Sequence, residues 1–177
     1  MAVVDVLQLG NPVLREKSKP VEDPASEEIG KLRDDLADTL RFWRETTGYG
    51  RGIAAPQIGV LKRVVFIKID KPWLLVNPEI VEMSDEKMII YDSCLSYLCI
   101  FFKVSRSRRI KVSYQEQDGT KKVMEAEGDL SELLQHEIDH LDGILGYRSC
   151  NRHKIDLHER RVREKIQERL SLLGAKE

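Results

Sequence analysis

The sequence reads as a single α+β domain spanning residues 1–177, with mixed or antiparallel strands packed around one central helix and further helices towards both termini. Three observations support this reading. Helical periodicity is confined to three stretches, near 24–47, 129–142 and 155–173. Strand-like runs are grouped between the first two helices rather than alternating with them, which is the α+β pattern. Asp118-Gly119 separates two of those runs and is a hairpin signal, so at least that pair should be antiparallel.

Taken in order, Asp23-Pro24 opens the first helix, with Pro24 suited to the first helical position. Ile29, Leu32, Leu36, Leu40 and Trp43 recur at helical spacing, and Thr46-Thr47-Gly48 ends the pattern. A glycine-rich segment runs over 48–59. Strand-like runs follow at 64–69, 74–76, 80–83 and 87–91, and then at Arg109–Gln115 and Lys121–Glu127 on either side of Gln117-Asp118-Gly119-Thr120. In the central helix Asp129 is placed to cap the N-terminus, and Glu132 follows by three as in a capping box. Leu130, Leu134, Ile138 and Leu141 give it an apolar face, and Gly143 stands where a glycine stops a helix. In the last helix Ile155, Val162, Ile166, Leu170 and Leu173 share a face, with Gly174 beyond.

Composition narrows the class of function. With 41% hydrophobic and 33% charged residues, 177 residues suffice for one core without covalent staples. The net charge of −1 gives no reason to expect DNA binding or a membrane surface as partner. No apolar run approaches the roughly 20 residues of a membrane span. Met1-Ala-Val-Val-Asp5 lacks the basic-then-apolar character of a signal peptide. Three cysteines, an odd number without a secretory signal, fit free thiols in a reducing cytoplasm.

His136-Glu137-Ile138-Asp139-His140 carries the clearest chemistry. Residues at i and i+4 share a helix face, so two imidazoles there can grip one divalent metal while Glu137 takes a proton from water. The bland alternative is a polar helix with two surface histidines, and the apolar stripe beside them argues against it. A catalytic site of this kind usually has a third protein ligand and one open position. The metzincin pattern would place a third His at position 146, which is glycine. A gluzincin pattern could draw on Glu159 or Glu164, although both sit in a charged segment that reads as a solvated helix face. Cys94, in Asp92-Ser93-Cys94-Leu95-Ser96, is the other candidate, since a thiolate suits a borderline metal, against the ordinary reading of a lone Cys as a small buried hydrophobe. Cys99 and Cys150 are read as such hydrophobes.

Three segments in this order resemble the motifs of peptide deformylases. Gly50-Arg-Gly-Ile-Ala-Ala-Pro-Gln57 is similar to the family's glycine-rich first motif, Asp92-Ser-Cys-Leu-Ser96 to its Glu-Gly-Cys-Leu-Ser motif, and Gln135-His-Glu-Ile-Asp-His-Leu-Asp-Gly143 to its third. Gly10-Asn-Pro-Val-Leu-Arg15 and Lys19-Pro-Val21 resemble the N-terminal region, so the likeness covers nearly the whole chain. The resemblance implies release of formate from the N-formylated first residue of nascent peptides, formyl-Met or a divergent one. It implies Cys94, His136 and His140 as ligands of Fe²⁺ in the cell, with Zn²⁺, Ni²⁺ or Co²⁺ able to substitute. It further implies Glu137 as the proton carrier, with Gln57 and the Leu95 backbone N–H stabilising the carbonyl oxygen. Gly50, Arg51, Gly52 and Ile53, with Asp92, Ser93, Glu132 and Leu133, are the expected substrate-binding residues. A monomer acting in the cytoplasm is expected, with ribosome contact through the basic last helix. The alternative is a deformylase-like protein with an altered acyl-amide substrate, or one without catalysis that binds peptides or the ribosome.

The sequence departs from the family around the substrate. Arg51 replaces an aliphatic residue between the motif glycines, Asp92-Ser93 replaces Glu-Gly, and Phe101 stands where an Arg is common. The segment 97–102 lacks the family's usual Pro. Glu132 and Asp129 occupy usually apolar positions near the methionine pocket. If Arg51 and Glu132 meet in that pocket, it should favour a polar first residue.

Overall fold

The uninterrupted apolar run 64–67 is apolar on both sides because both sides are buried. The computed structural model describes residues 3–97 and 100–146. In it, strand β2 (Val64–Lys68) sends Val64 and Phe66 into one core and Val65 and Ile67 into another. It belongs to a five-stranded antiparallel sheet in the order β1-β2-β3-β6-β7, with β1 (Gly52–Ala54), β3 (Pro72–Met83), β6 (Arg109–Gln115) and β7 (Lys121–Glu127). Helix α1 (Glu27–Thr47) covers one face through Ile29, Leu32, Leu36 and Leu40. Helix α2 (Asp129–Leu141) covers the other through Leu133, Leu134, Ile138 and Leu141. Strands β4 (Lys87–Asp92) and β5 (Phe102–Ser107) form a separate antiparallel pair beside α2. The α+β architecture expected from the grouped strands is the one observed. The expected last helix lies outside the described residues, as do Cys99, Cys150, Glu159 and Glu164.

Four local expectations change. The first helix starts at Glu27 rather than at Pro24, because Asp23 forms a turn of its own: its carboxylate accepts from the Ala25 N–H at 3.0 Å, and Ser26 Oγ donates to its carbonyl. The two runs 74–76 and 80–83 are one strand, bent where Asn77 takes φ 51° and the register shifts. Asparagine suits that left-handed position, and its amide is fully used. It accepts from Val21 N–H at 2.7 Å and donates to Val21 O at 2.8 Å and Gln115 Oε1 at 2.7 Å. Gly128, not Asp129, caps α2, and no capping box forms. With Gly128 as the cap the third helical residue is Ser131, so Glu132 is out of capping-box register, and its carboxylate accepts from Arg51 instead. Finally, β5 and β1 were not expected as strands: three residues of glycine motif and a mixed polar segment carry too little periodicity.

The glycine expected beyond α2 is where the helix stops. Gly143 has φ 67°, and a Cβ there would stand 2.4 Å from Arg15 O, so the chain passes close to the N-terminal segment. That contact locks the end of α2 in place. Gly48 likewise closes α1 at φ 78°, its N–H donating to Arg44 O.

Candidate metal centre and active site

Helical spacing in α2 brings His136 and His140 together, with Nε2 atoms 3.2 Å apart. The turn after β4 delivers Cys94 to the same point, its Sγ 3.1 Å from His140 Nε2. The ligand atoms of Cys94, His136 and His140 all lie within 4.8 Å of one another, and all three residues are buried. A thiol and two imidazole nitrogens converging inside the protein fit a divalent cation with one position left over. Among the described residues this is the one such group.

The surrounding residues orient these donors. His136 Nδ1 lies 2.9 Å from the Asp92 carboxylate. That bond places the ring proton on Nδ1 and leaves the Nε2 lone pair facing the cluster. Arg106 donates to Asp92 at 3.1 Å and also to Asp139, so a buried guanidinium is held between two carboxylates. Burial opposes charge on Asp92, yet His136 and Arg106 beside it hold its carboxyl below the usual carboxylate range.

Gln57 sits in a short 3-10 helix, Ala55–Ile58. Its Oε1 accepts from the Ala54 N–H at 2.8 Å, which fixes the amide so that Nε2 faces Cys94 Sγ and Ser96 Oγ, each at 3.2 Å. Glu137 is buried, and its Oε2 has no hydrogen-bond partner among the described residues. Burial, and secondarily Asp92 and Glu132, push its carboxyl up to about 7, against the opposing pull of His136 and Arg51. An unpartnered buried carboxylate oxygen calls for a donor from water or substrate.

These groups open onto a cleft of about 340 Å³. Gly50, Arg51 and Gly52 form one lip, Ser93, Cys94 and Leu95 a second, and α2 lines the floor with Glu132, Leu133, His136 and Glu137. Gln57 also reaches the cleft. Two residues expected on the substrate wall stand elsewhere. The Ile53 side chain alternates away into the core under α1, and Asp92 lies beneath His136 as its hydrogen-bond partner. Sequence reasoning missed Arg44 and Tyr49 on the rim, and it missed Arg106 and Ser96 as supports. Ser96 lies within the second motif and Arg106 twelve residues beyond its Cys, so only the fold reveals their contacts.

A family model described as polypeptide deformylase matches residues 3–155. The chain is 37% identical to the peptide deformylase of Bartonella tribocorum over 177 residues, 96% of each protein. It is 44% identical to that of Heliobacterium modesticaldum over 146 residues, covering 82% of this chain and 92% of the relative. The crystal structure of peptide deformylase from Thermotoga maritima superposes with a TM-score of 0.79 at 34% identity, covering 85% of this chain and 99% of that one. Matches of this extent, on a chain whose three motif segments meet around one Cys-His-His cluster, establish that it belongs to the polypeptide deformylase family, whose reaction removes the N-formyl group from nascent peptides.

Proposed function

We propose that residues 1–177 form one catalytic unit in which Cys94, His136 and His140 hold the metal and Glu137, Gln57 and Leu95 act on the formyl group. The observation that carries this reading is the convergence of Cys94 Sγ and His136 Nε2 on His140 Nε2, at 3.1 and 3.2 Å, beside a buried carboxylate whose Oε2 has no partner among the described residues. When bound, the metal supplies a water of lowered pKa and polarises a carbonyl oxygen. Glu137 takes a proton from the attacking water and hands it to the leaving nitrogen, so the C–O bond forms, the C–N bond breaks and formate departs. The Gln57 amide and the Leu95 N–H donate to the former carbonyl oxygen as it gains charge. Gly50 and Arg51 lead into β1, which opens at Gly52 and is an edge strand of the sheet, against which an extended peptide can pair.

Fe²⁺ is the metal proposed in the cell, with Zn²⁺, Ni²⁺ or Co²⁺ as substitutes, because donor type fits all four and availability decides among them. The protein is proposed to act as a monomer in the cytoplasm and to contact the ribosome through the basic stretch after residue 150. No helix among the described residues is long and apolar enough to cross a membrane. A catalytically idle binding module is not favoured by the extent of the family matches.

Formate release from formyl peptides by the metal-loaded protein, compared with Glu137→Gln, tests the reading. Loss of at least a hundredfold in kcat with metal content unchanged is expected. Undiminished turnover in Glu137→Gln would contradict it.

A further inference from the structure

A salt bridge crosses the cleft beside the reacting group. Arg51 Nη2 lies 2.6 Å from Glu132 Oε2, and both residues line the cavity that holds Glu137 and His136. Two neighbours fix its position. Glu132 is one helical turn before His136 on α2, so the two share a face. Arg51 precedes Gly52, which packs on Glu137 so closely that a Cβ there would stand 2.6 Å from Glu137 Oε1. A peptide whose formylated nitrogen reaches Glu137 therefore places its first side chain in the space this bridge spans.

The partners differ in freedom. The Glu132 side chain is 11% exposed on a packed helix, whereas that of Arg51 is 45% exposed at the strand edge. Arg51 can turn into water at small cost, but Glu132 without a partner is a nearly buried, unpaired carboxylate. A methionine side chain must either cover the ion pair without bonding to it or displace Arg51 and strand Glu132. Both outcomes cost binding. A side chain bearing N–H donors can instead take the place of Arg51 or share the carboxylate with it. An acidic side chain would face Glu132 and Glu137 together.

We infer that Arg51 and Glu132 are specificity-determining residues that make this enzyme select formyl peptides whose first side chain is a hydrogen-bond donor, an amide or a cation, over methionine and over acidic residues. This rests on the proposed role of Glu137 and the Cys94-His136-His140 cluster as the reacting centre.

The test is kcat/KM of the full-length, metal-loaded protein on formyl-Gln-Ala-Ser, formyl-Lys-Ala-Ser, formyl-Met-Ala-Ser and formyl-Glu-Ala-Ser. The Gln and Lys peptides should exceed the Met peptide by on the order of tenfold or more, with the Glu peptide poorest. Arg51→Val combined with Glu132→Ile should reverse the order in favour of Met. Glu132→Gln, which preserves shape, should lose the preference for Lys and keep that for Gln. It decides the matter even if the double variant does not fold. Calorimetric affinities of Gln-Ala-Ser and Met-Ala-Ser should follow the same order without turnover. A wild-type preference for formyl-Met would overturn the inference and leave the deformylase reading intact. Hydrolysis of none of the four peptides would overturn the deformylase reading and this inference with it.

Discussion

Gly52→Ala isolates the placement of Glu137 from everything else in the site. An added Cβ would lie 2.6 Å from Glu137 Oε1, 3.0 Å from its Cδ and 3.1 Å from its Cγ. The φ of Gly52 is not in the left-handed region, so alanine suffers no backbone strain and the whole effect is the contact. The carboxylate must retreat by roughly 0.5–1 Å to regain an ordinary separation. Displacement of a reacting group on the order of 1 Å costs about a hundredfold in rate. Overpacking should also remove about 1–3 kcal/mol of stability. Cys94, His136 and His140 lie outside the three nearest contacts of that Cβ, so metal content should not change. Formate release, metal analysis and thermal unfolding on one preparation give all three quantities. Activity within a factor of three of wild type would show that Glu137 does not need its present position. Metal loss in parallel with activity would show that the contact reaches the ligands instead.

Asp92→Asn should weaken metal affinity by about 10–100-fold, since it removes the charge that orients His136; titration against a competing chelator measures this, and unchanged affinity would contradict the orienting role. Gln57→Ala should lower kcat by about 10²–10³-fold while leaving metal content intact, as expected for loss of one donor to the developing oxyanion. Asn77→Ala should cost about 2–4 kcal/mol by denaturant titration, because three hydrogen bonds and a tolerated left-handed residue are lost at the bend of β3. Wild-type stability there would mean that β3 bends for another reason.

Helix α2 was legible because its signals are local: leucines at helical spacing, histidines at i and i+4, and a stop glycine at 143. The apolar stripe of α1 was legible for the same reason, although its start was not, because Asp23 satisfies a turn that Pro24 does not disclose. The third ligand was a different matter. Spacing alone left Cys94 and two glutamates open, and only the motif likeness favoured the cysteine. What the fold adds is long-range. Arg106 reads as one cation in a mixed polar segment, yet from β5 it bridges Asp92 on β4 and Asp139 on α2. Glu132 looked like half of a capping box, because helix-start rules see only neighbours along the chain. Its partner, Arg51, lies 81 residues away and competes with the local contact. Asp92 was misplaced on the substrate wall for a similar reason: adjacency to Cys94 in sequence does not reveal that its side chain points under His136.

The most direct measurement is metal stoichiometry of anaerobically purified protein, wild type against Cys94→Ala, with formate release followed on the same samples. Anaerobic handling protects an Fe²⁺-thiolate site from oxidation. About one divalent metal per chain in the wild type is expected, lost together with formate release when Cys94 is removed. A Cys94→Ala protein that keeps both its metal and its activity would contradict the ligand set and every role derived from it.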